Sequence, residues 1–161
     1  MVINFLQVNM VGMREEFAMK ISTRGRYALR LMMDIALAEG DAPVRIKDIA
    51  GRQAISEKYL EQIVSVLNKA GLVRSSRGPQ GGYRLTRAPE EYTAGEIISS
   101  IEGSLVPVAC LETDENECPR HLACATLRLW EKLAAAIQSV LDEVTLADLI
   151  GWQKELEPKK K

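Results

Sequence analysis

Residues 47–70 constrain the fold most, because they read as two short helices joined by a turn too tight to let them separate. The second helix, 56–70, carries Tyr59, Leu60, Ile63, Val64 and Leu67 along one stripe, the spacing of an amphipathic helix with one buried face. Ser56 suits its N-cap and Gly71 its C-terminal stop. Glu57, Lys58, Glu61, Gln62, Ser65 and Lys69 are left outward. A brief helix over 47–52 precedes it, with the turn at Gln53-Ala54-Ile55. This is a helix-turn-helix, whose second helix is shaped to enter the major groove of DNA.

The flanking segments extend that unit. Residues 22–39 predict a helix with Tyr27, Ala28, Leu31, Ile35 and Ala38 inward and Arg24, Arg26 and Arg30 near its start, ended by Gly40. A strand is expected at 44–46. Residues 72–76 and 83–86 predict a hairpin around Arg77-Gly78-Pro79-Gln80-Gly81-Gly82. After a helix-turn-helix, such a hairpin reads as a wing whose arginine reaches a narrow minor groove; taken alone it is an ordinary turn. The loop lacks the Gly-Lys-Ser/Thr of a phosphate-binding P-loop. Arg24, Arg26, Lys47 and Arg52 are expected on phosphates, and Lys58, Glu61 and Gln62 on base edges, with a solvated helix face as the alternative for each.

The net charge of −1 over 161 residues hides a division. Residues 20–88 hold 13 basic and 6 acidic side chains, whereas residues 89–161 hold 7 basic and 14 acidic. A +7 half joined to a −7 half signals a polyanionic partner for the first. The expected division is a DNA-binding winged helix-turn-helix lobe over 19–88 and a dimerisation lobe over 89–161. Residues 1–18 show no sustained period and are expected to be a non-native or disordered leader ahead of a start at Met19. No apolar run of 18 residues and no secretory leader occur, which predicts a cytoplasmic protein without a membrane partner.

In the acidic half, Thr93 and Glu96 form a capping-box pattern opening a helix that ends at Gly103. From about Ala123 a long helix spaces Leu127, Trp130, Ala134, Ile137, Leu141 and Val144 by alternating threes and fours, with Leu133 and Val140 widening the stripe. So long an apolar face predicts a homodimer suited to a palindromic operator; packing onto the capped helix is the alternative. A short capped helix is expected over 145–152. The fold class is therefore mainly α (α+β), a winged helix-turn-helix lobe plus a long dimerisation helix.

The three cysteines, Cys110, Cys118 and Cys124, fall in one polar loop. Thiolates this close suit Zn, Cu(I) or an iron-sulfur centre better than a disulfide framework in a reducing compartment. Their spacing matches neither a zinc ribbon nor a bacterial ferredoxin. A cluster with three cysteines and one other ligand fits it better, and unligated thiols are the alternative. Cys124 is expected at the start of the long helix, where the dipole favours thiolate.

Residues 22–29 (STRGRYAL), Ile55-Ser56 with 59–62 (YLEQ), 71–73 (GLV), Arg77-Gly78-Pro79 with Gly81-Gly82-Tyr83, and the cysteine loop followed by Leu129-Trp130 together carry a family resemblance. From Met19 to Trp152 the chain resembles the winged-helix regulators typified by the iron-sulfur cluster regulator IscR, a group that includes the nitric-oxide sensor NsrR and the cysteine-metabolism regulator CymR. The resemblance implies a homodimeric DNA-binding regulator holding an iron-sulfur cluster, most often 2Fe-2S, on the three cysteines. It implies operator contacts from Ser56, Lys58, Glu61, Gln62 and Arg77. With the flanking positions, the candidate set is Arg24, Arg26, Ser56, Lys58, Tyr59, Glu61, Gln62, Arg77 and Gly78. The histidine that completes the site in IscR corresponds to Leu127 here, and Arg26 stands where relatives place an N-terminal acidic ligand. His121, the only histidine, is the first candidate for the fourth ligand, followed by Glu117 and Asp114 and then by an exogenous thiol or water. The expected targets are iron-sulfur cluster biogenesis genes, and a thiol-redox or zinc regulator without a cluster is the rival. One histidine and no second base beside a nucleophile leave no catalytic constellation. The charge division predicts a steep fall in DNA affinity with rising salt; a flat dependence in a binding titration contradicts the assignment of the basic half.

Overall fold

The computed structural model describes residues 21–38, 42–78, 81–113, 115–116 and 118–156; the expectations for residues 1–18 and for Gly40, Gln80, Asp114 and Glu117 lie outside them. Helix α1 (Thr23–Leu37) is capped by Ser22, whose hydroxyl accepts from the Arg24 and Gly25 amides. It buries Ala28, Leu31, Met32 and Ile35. Ala38, expected on the helical face, is instead its extended C-cap.

Helix α2 (Ile46–Gln53) begins one residue earlier than its pattern suggests. The strand expected at 44–46 reduces to one bridge, Val44 with Tyr83, because Ile46 already enters the helix. The turn into α3 (Glu57–Lys69) is made by Ala54 in the left-handed region, φ 53°. A Cβ-bearing residue there is strained by about 1–2 kcal/mol, offset by the amides of Ala54 and Ile55 bonding to Ala50 O. Ser56 caps α3 through the Tyr59 amide, and Leu60, Ile63, Val64 and Leu67 are its buried stripe. Gly71 at φ +75° lets Leu72 N return to Leu67 O and close the helix.

Strands β1 (Val73–Ser76) and β2 (Gly82–Leu85) pair antiparallel with Val73 opposite Leu85 and Arg74 opposite Arg84. The Val44 backbone lies so close to Gly82 that a Cβ there would overlap Val44 O, so this position excludes larger residues. The hairpin has the expected place, one residue shorter at each outer end, with β2 beginning one residue earlier than its pattern suggests.

A 3-10 turn (Pro89–Glu91) leads through Tyr92 to α4 (Ala94–Glu102). Thr93 caps α4 through the Glu96 amide, but the reciprocal half of the capping box is absent: the Glu96 carboxylate turns to Arg87 instead, at 2.7 Å. Helix α5 (Leu127–Glu143) starts several residues later than its apolar pattern suggests, because His121–Ala123 form a 3-10 turn and Cys124 is extended. Helix α6 (Leu146–Leu156) follows, and there the capping box is complete: Asp148 accepts from the Thr145 amide and hydroxyl while Thr145 Oγ1 accepts from the Asp148 amide.

The core runs without interruption across residue 89. Tyr92, Ile97, Leu146 and Ile150 join Leu31, Met32, Ile49, Leu60, Ile63, Leu67 and Val73 in one buried cluster. Backbone bonds from Ala94 N to Val144 O and from Leu146 N to Tyr92 O tie the end of α5 to the start of α4. The Tyr92 hydroxyl is the polar centre of this seam. It donates to Leu72 O (2.9 Å) and accepts from the Thr86 and Arg87 amides (2.8 Å each), joining the wing to the second half. Tyr92→Phe keeps the ring but removes the acceptor of the Arg87 amide and one donor to Leu72 O, which Thr86 still meets, and it is expected to cost about 0.5–1.5 kcal/mol in urea unfolding; an unchanged midpoint contradicts that role.

Candidate nucleic-acid interface and thiol loop

The DNA-facing candidates divide by how they are held. Ser56, Lys58, Glu61 and Gln62 are exposed on the first two turns of α3, and Ser56 also fixes the start of that helix. Tyr59 is half-buried, its ring meeting Tyr27 edge-on at 5.8 Å, so it steadies α3 against α1. Arg30 lies 5.4 Å from the Tyr27 ring centre and donates to Gln53 Oε1 and Gln53 O, linking α1 to the turn. Arg24 and Arg26 are exposed at the start of α1, with Arg26 Nη2 donating to Thr23 Oγ1. Arg77 and Gly78 (φ +108°) are exposed at the tip of the wing.

Arg52 has a structural partner. Its guanidinium grips the buried Asp34 carboxylate through Nε (3.1 Å) and Nη2 (2.5 Å), while Gln53 Nε2 donates to the other oxygen. The Asp34 hydrogen bond raises the Arg52 pKa above its ordinary value. That grip locks α2 to α1, while about half of the Arg52 side chain stays exposed at 52%. Lys47 remains exposed.

Two functional contacts have no signature in the sequence pattern. Glu102, at the end of α4, accepts from the Ser22 hydroxyl (2.6 Å) and the Gly25 amide (3.0 Å). A carboxylate from the acidic half thus sits at the positive N-terminus of α1. A Cβ on Gly25 would overlap Glu102 Oε1, so a larger residue there displaces the carboxylate from the α1 amides. The second contact is the Asp34 grip, hidden because one buried acid inside an amphipathic helix looks like an interruption of its stripe.

The thiol loop spans residues 104–126, between α4 and α5. Cys110 lies in a 3-10 turn (Ala109–Leu111), the Cys118 amide donates to Asn116 Oδ1, and Cys124 follows the second turn (His121–Ala123). All three are free and half-buried. Among the described residues no three cysteine, histidine or acidic side chains are gathered closely enough to hold one metal ion. The donor set nevertheless suits an iron-sulfur group. Cys124 Sγ lies 3.2 Å from Thr126 Oγ1, and that hydroxyl, with the Leu127 amide, holds the thiol below its ordinary pKa. The favoured thiolate at the entrance to α5 thus survives the later helix start, through individual donors. His121 Nδ1 lies 2.7 Å from Cys118 O, which as a donor contact leaves Nε2 as the lone-pair nitrogen.

In α5, Leu129 is 56% and Val140 60% exposed, and no residue of the helix is fully buried in the single chain. The contact of Gly95 with Leu141 holds its C-terminal part on α4. No helix among the described residues is long and apolar enough to cross a membrane.

Residues 21–151 match the Rrf2 family, described as iron-dependent transcriptional regulators. The chain is 45% identical over 134 residues to the HTH-type transcriptional regulator CymR of Bacillus subtilis, covering 83% of this chain and 91% of that protein. It is 43% identical over 132 residues to IscR of Aliivibrio salmonicida, covering 82% and 77% respectively. The solved structure of T. potens IscR superimposes with a TM-score of 0.70 at 42% identity, covering 88% of this chain and 93% of that one.

Because Thr126 stabilises the thiolate, Cys124 of the metal-free protein should react with iodoacetamide at lower pH than an ordinary thiol. Thr126→Val is expected to move the midpoint of its pH-rate profile upward. Equal profiles for the two proteins, read by peptide mass spectrometry, contradict that hydrogen bond.

Proposed function

The chain belongs to the Rrf2 family of DNA-binding transcriptional regulators, which are not enzymes, and from that premise we propose that it is a homodimeric sensor whose operator affinity is set by an iron-sulfur cluster on Cys110, Cys118 and Cys124. The observation that carries this reading is the donor set: three free thiols on one loop, one already biased to thiolate, beside a histidine with an available Nε2. His121 is the proposed fourth ligand. A 2Fe-2S cluster would supply a centre whose assembly or loss reports iron-sulfur supply, and genes of cluster biogenesis are the proposed targets.

The chain's own residues convert that state into DNA affinity. Drawing the three cysteines together fixes residues 104–126, whose two ends are α4 and α5. Glu102 closes α4 and hydrogen-bonds the first turn of α1, where Arg24 and Arg26 meet the DNA backbone. A shift of α4 is thereby felt at a phosphate-binding surface. The half-covered stripe Leu127, Trp130, Ala134, Ile137 and Leu141, with exposed Leu129 and Val140, supports α5 as the face for a second copy. Two recognition helices related by a two-fold axis suit a palindromic operator. Arg24, Arg26 and Lys47 are assigned to phosphates, Ser56, Lys58, Glu61 and Gln62 to the major groove, and Arg77 with Gly78 to the minor groove. Tyr59 acts from behind, by holding α3 against Tyr27.

A second reading, a thiol-redox or zinc regulator without a cluster, is favoured by the 45% identity to CymR. Anaerobic reconstitution separates the two. The cluster reading expects iron with labile sulfide, visible absorbance lost in Cys118→Ser, and a cluster less stable in His121→Ala. Zinc or no metal in the wild-type protein overturns it, and an unchanged spectrum and lifetime in His121→Ala removes that ligand. Differential operator affinity between cluster-loaded and cluster-free protein is required, since a sensor must favour one state.

A further inference from the structure

The register of the wing places Arg74 directly opposite Arg84. Residues so opposed in an antiparallel pair project to the same face with Cβ atoms about 4.5–5.5 Å apart. Tyr83 and Leu85 of β2 pack against the core, so alternation turns Arg84, and with it Arg74, to the outer face. Like charges directly opposed across an antiparallel pair weaken a hairpin. Four other arginines of this half pair with a polar side chain: Arg30 with Gln53, Arg45 with Asp48, Arg52 with Asp34 and Arg87 with Glu96. Among the described residues Arg84 Nε is buried and meets no acceptor. A buried donor without a partner is a desolvation cost that the free protein carries uncompensated.

We propose that Arg74 and Arg84 form a phosphate clamp on the outer face of the wing, taking one phosphodiester of the DNA strand that borders the groove entered by Arg77. The planar guanidinium fork matches the paired oxygens of a phosphate. A bound phosphodiester places a negative charge between two positive ones. The clamp sits one strand-length from the exposed Arg77 and Gly78, which positions a backbone contact beside a groove contact. It rests on the DNA-binding role assigned to the wing and adds two residues to it. A phosphate contact carries no base information, so the clamp strengthens binding to every sequence alike.

Arg74→Gln and Arg84→Met test this, the second keeping an apolar stem along the hairpin. Each variant, and the double variant, is titrated over a salt series against two duplexes of about two helical turns. One duplex is enriched from a random library by the wild-type protein, and the other is its scramble. The expected result is a plot of log affinity against log salt that is shallower by about one per protomer, equally on both duplexes. The double variant should show no further change, because one phosphate is shared. Gln62→Ala serves as comparison and should lose preference for the enriched duplex while keeping the wild-type slope. Wild-type slopes in both arginine variants, with preference still lost in Gln62→Ala, overturn the clamp and leave the winged-helix assignment standing. Flat slopes and no preference in the wild-type protein overturn that assignment itself. Arg74 is exposed, so Arg74→Gln decides the matter even if Arg84→Met unsettles the hairpin.

Discussion

Burial of α1 is the constraint on which the remaining elements depend. Its face of Ala28, Leu31, Met32 and Ile35 is almost wholly removed from water, and α3, α4, α6 and β2 are arranged against it. Four fully buried apolar side chains contribute several kcal/mol by area, enough to make α1 the common floor for a basic half and an acidic half. The consequence for function is that the two halves cannot move independently. Anything that displaces α4 works against the packing of the helix that carries Arg24 and Arg26.

Apolar burial brings these elements together, but it is indifferent to small rotations, and three polar contacts remove that freedom. Asp34 takes Arg52 and Gln53 and so sets α2 on α1. Tyr92 collects donors and an acceptor from both ends of the wing. Glu102 fastens α4 to the N-terminus of α1. A buried carboxylate or hydroxyl is tolerable only when its partners are in place. Each contact therefore enforces one geometry of the recognition surface.

What was legible in the sequence follows from how local its physical cause is. The α3 stripe, the Ser56 cap, the Gly71 stop, the hairpin and the α6 capping box rest on neighbours within a few residues, and each stands where its pattern put it. The failures involve distant partners. Glu96 left its capping box for Arg87, and the grip of Arg52 on buried Asp34 has no signature in the local pattern. The strand at 44–46 shrank to Val44 because Ile46 began a helix. The late start of α5 reflects an extended Cys124 between turns, where apolar periodicity continued into residues that do not wind as α-helix. Glu102 and the opposed arginines could be found only from packing and register.

Among the described residues the thiol loop has little packing behind it, and that suits the proposed role. The described residues of 104–126 contribute no side chain to the buried core, and their regular structure is two single 3-10 turns. A segment held so weakly is easily rearranged by a ligand that binds one arrangement better than another. Its two ends, by contrast, are α4 and α5, one fixed to α1 through Glu102 and the other carrying the half-covered apolar stripe. A loose loop between two stiff helices turns a local change of ligation into a change in helix placement. Loops buried in the core would resist the ligand, and helices less firmly fixed to α1 would absorb the movement before it reached the DNA-binding surface.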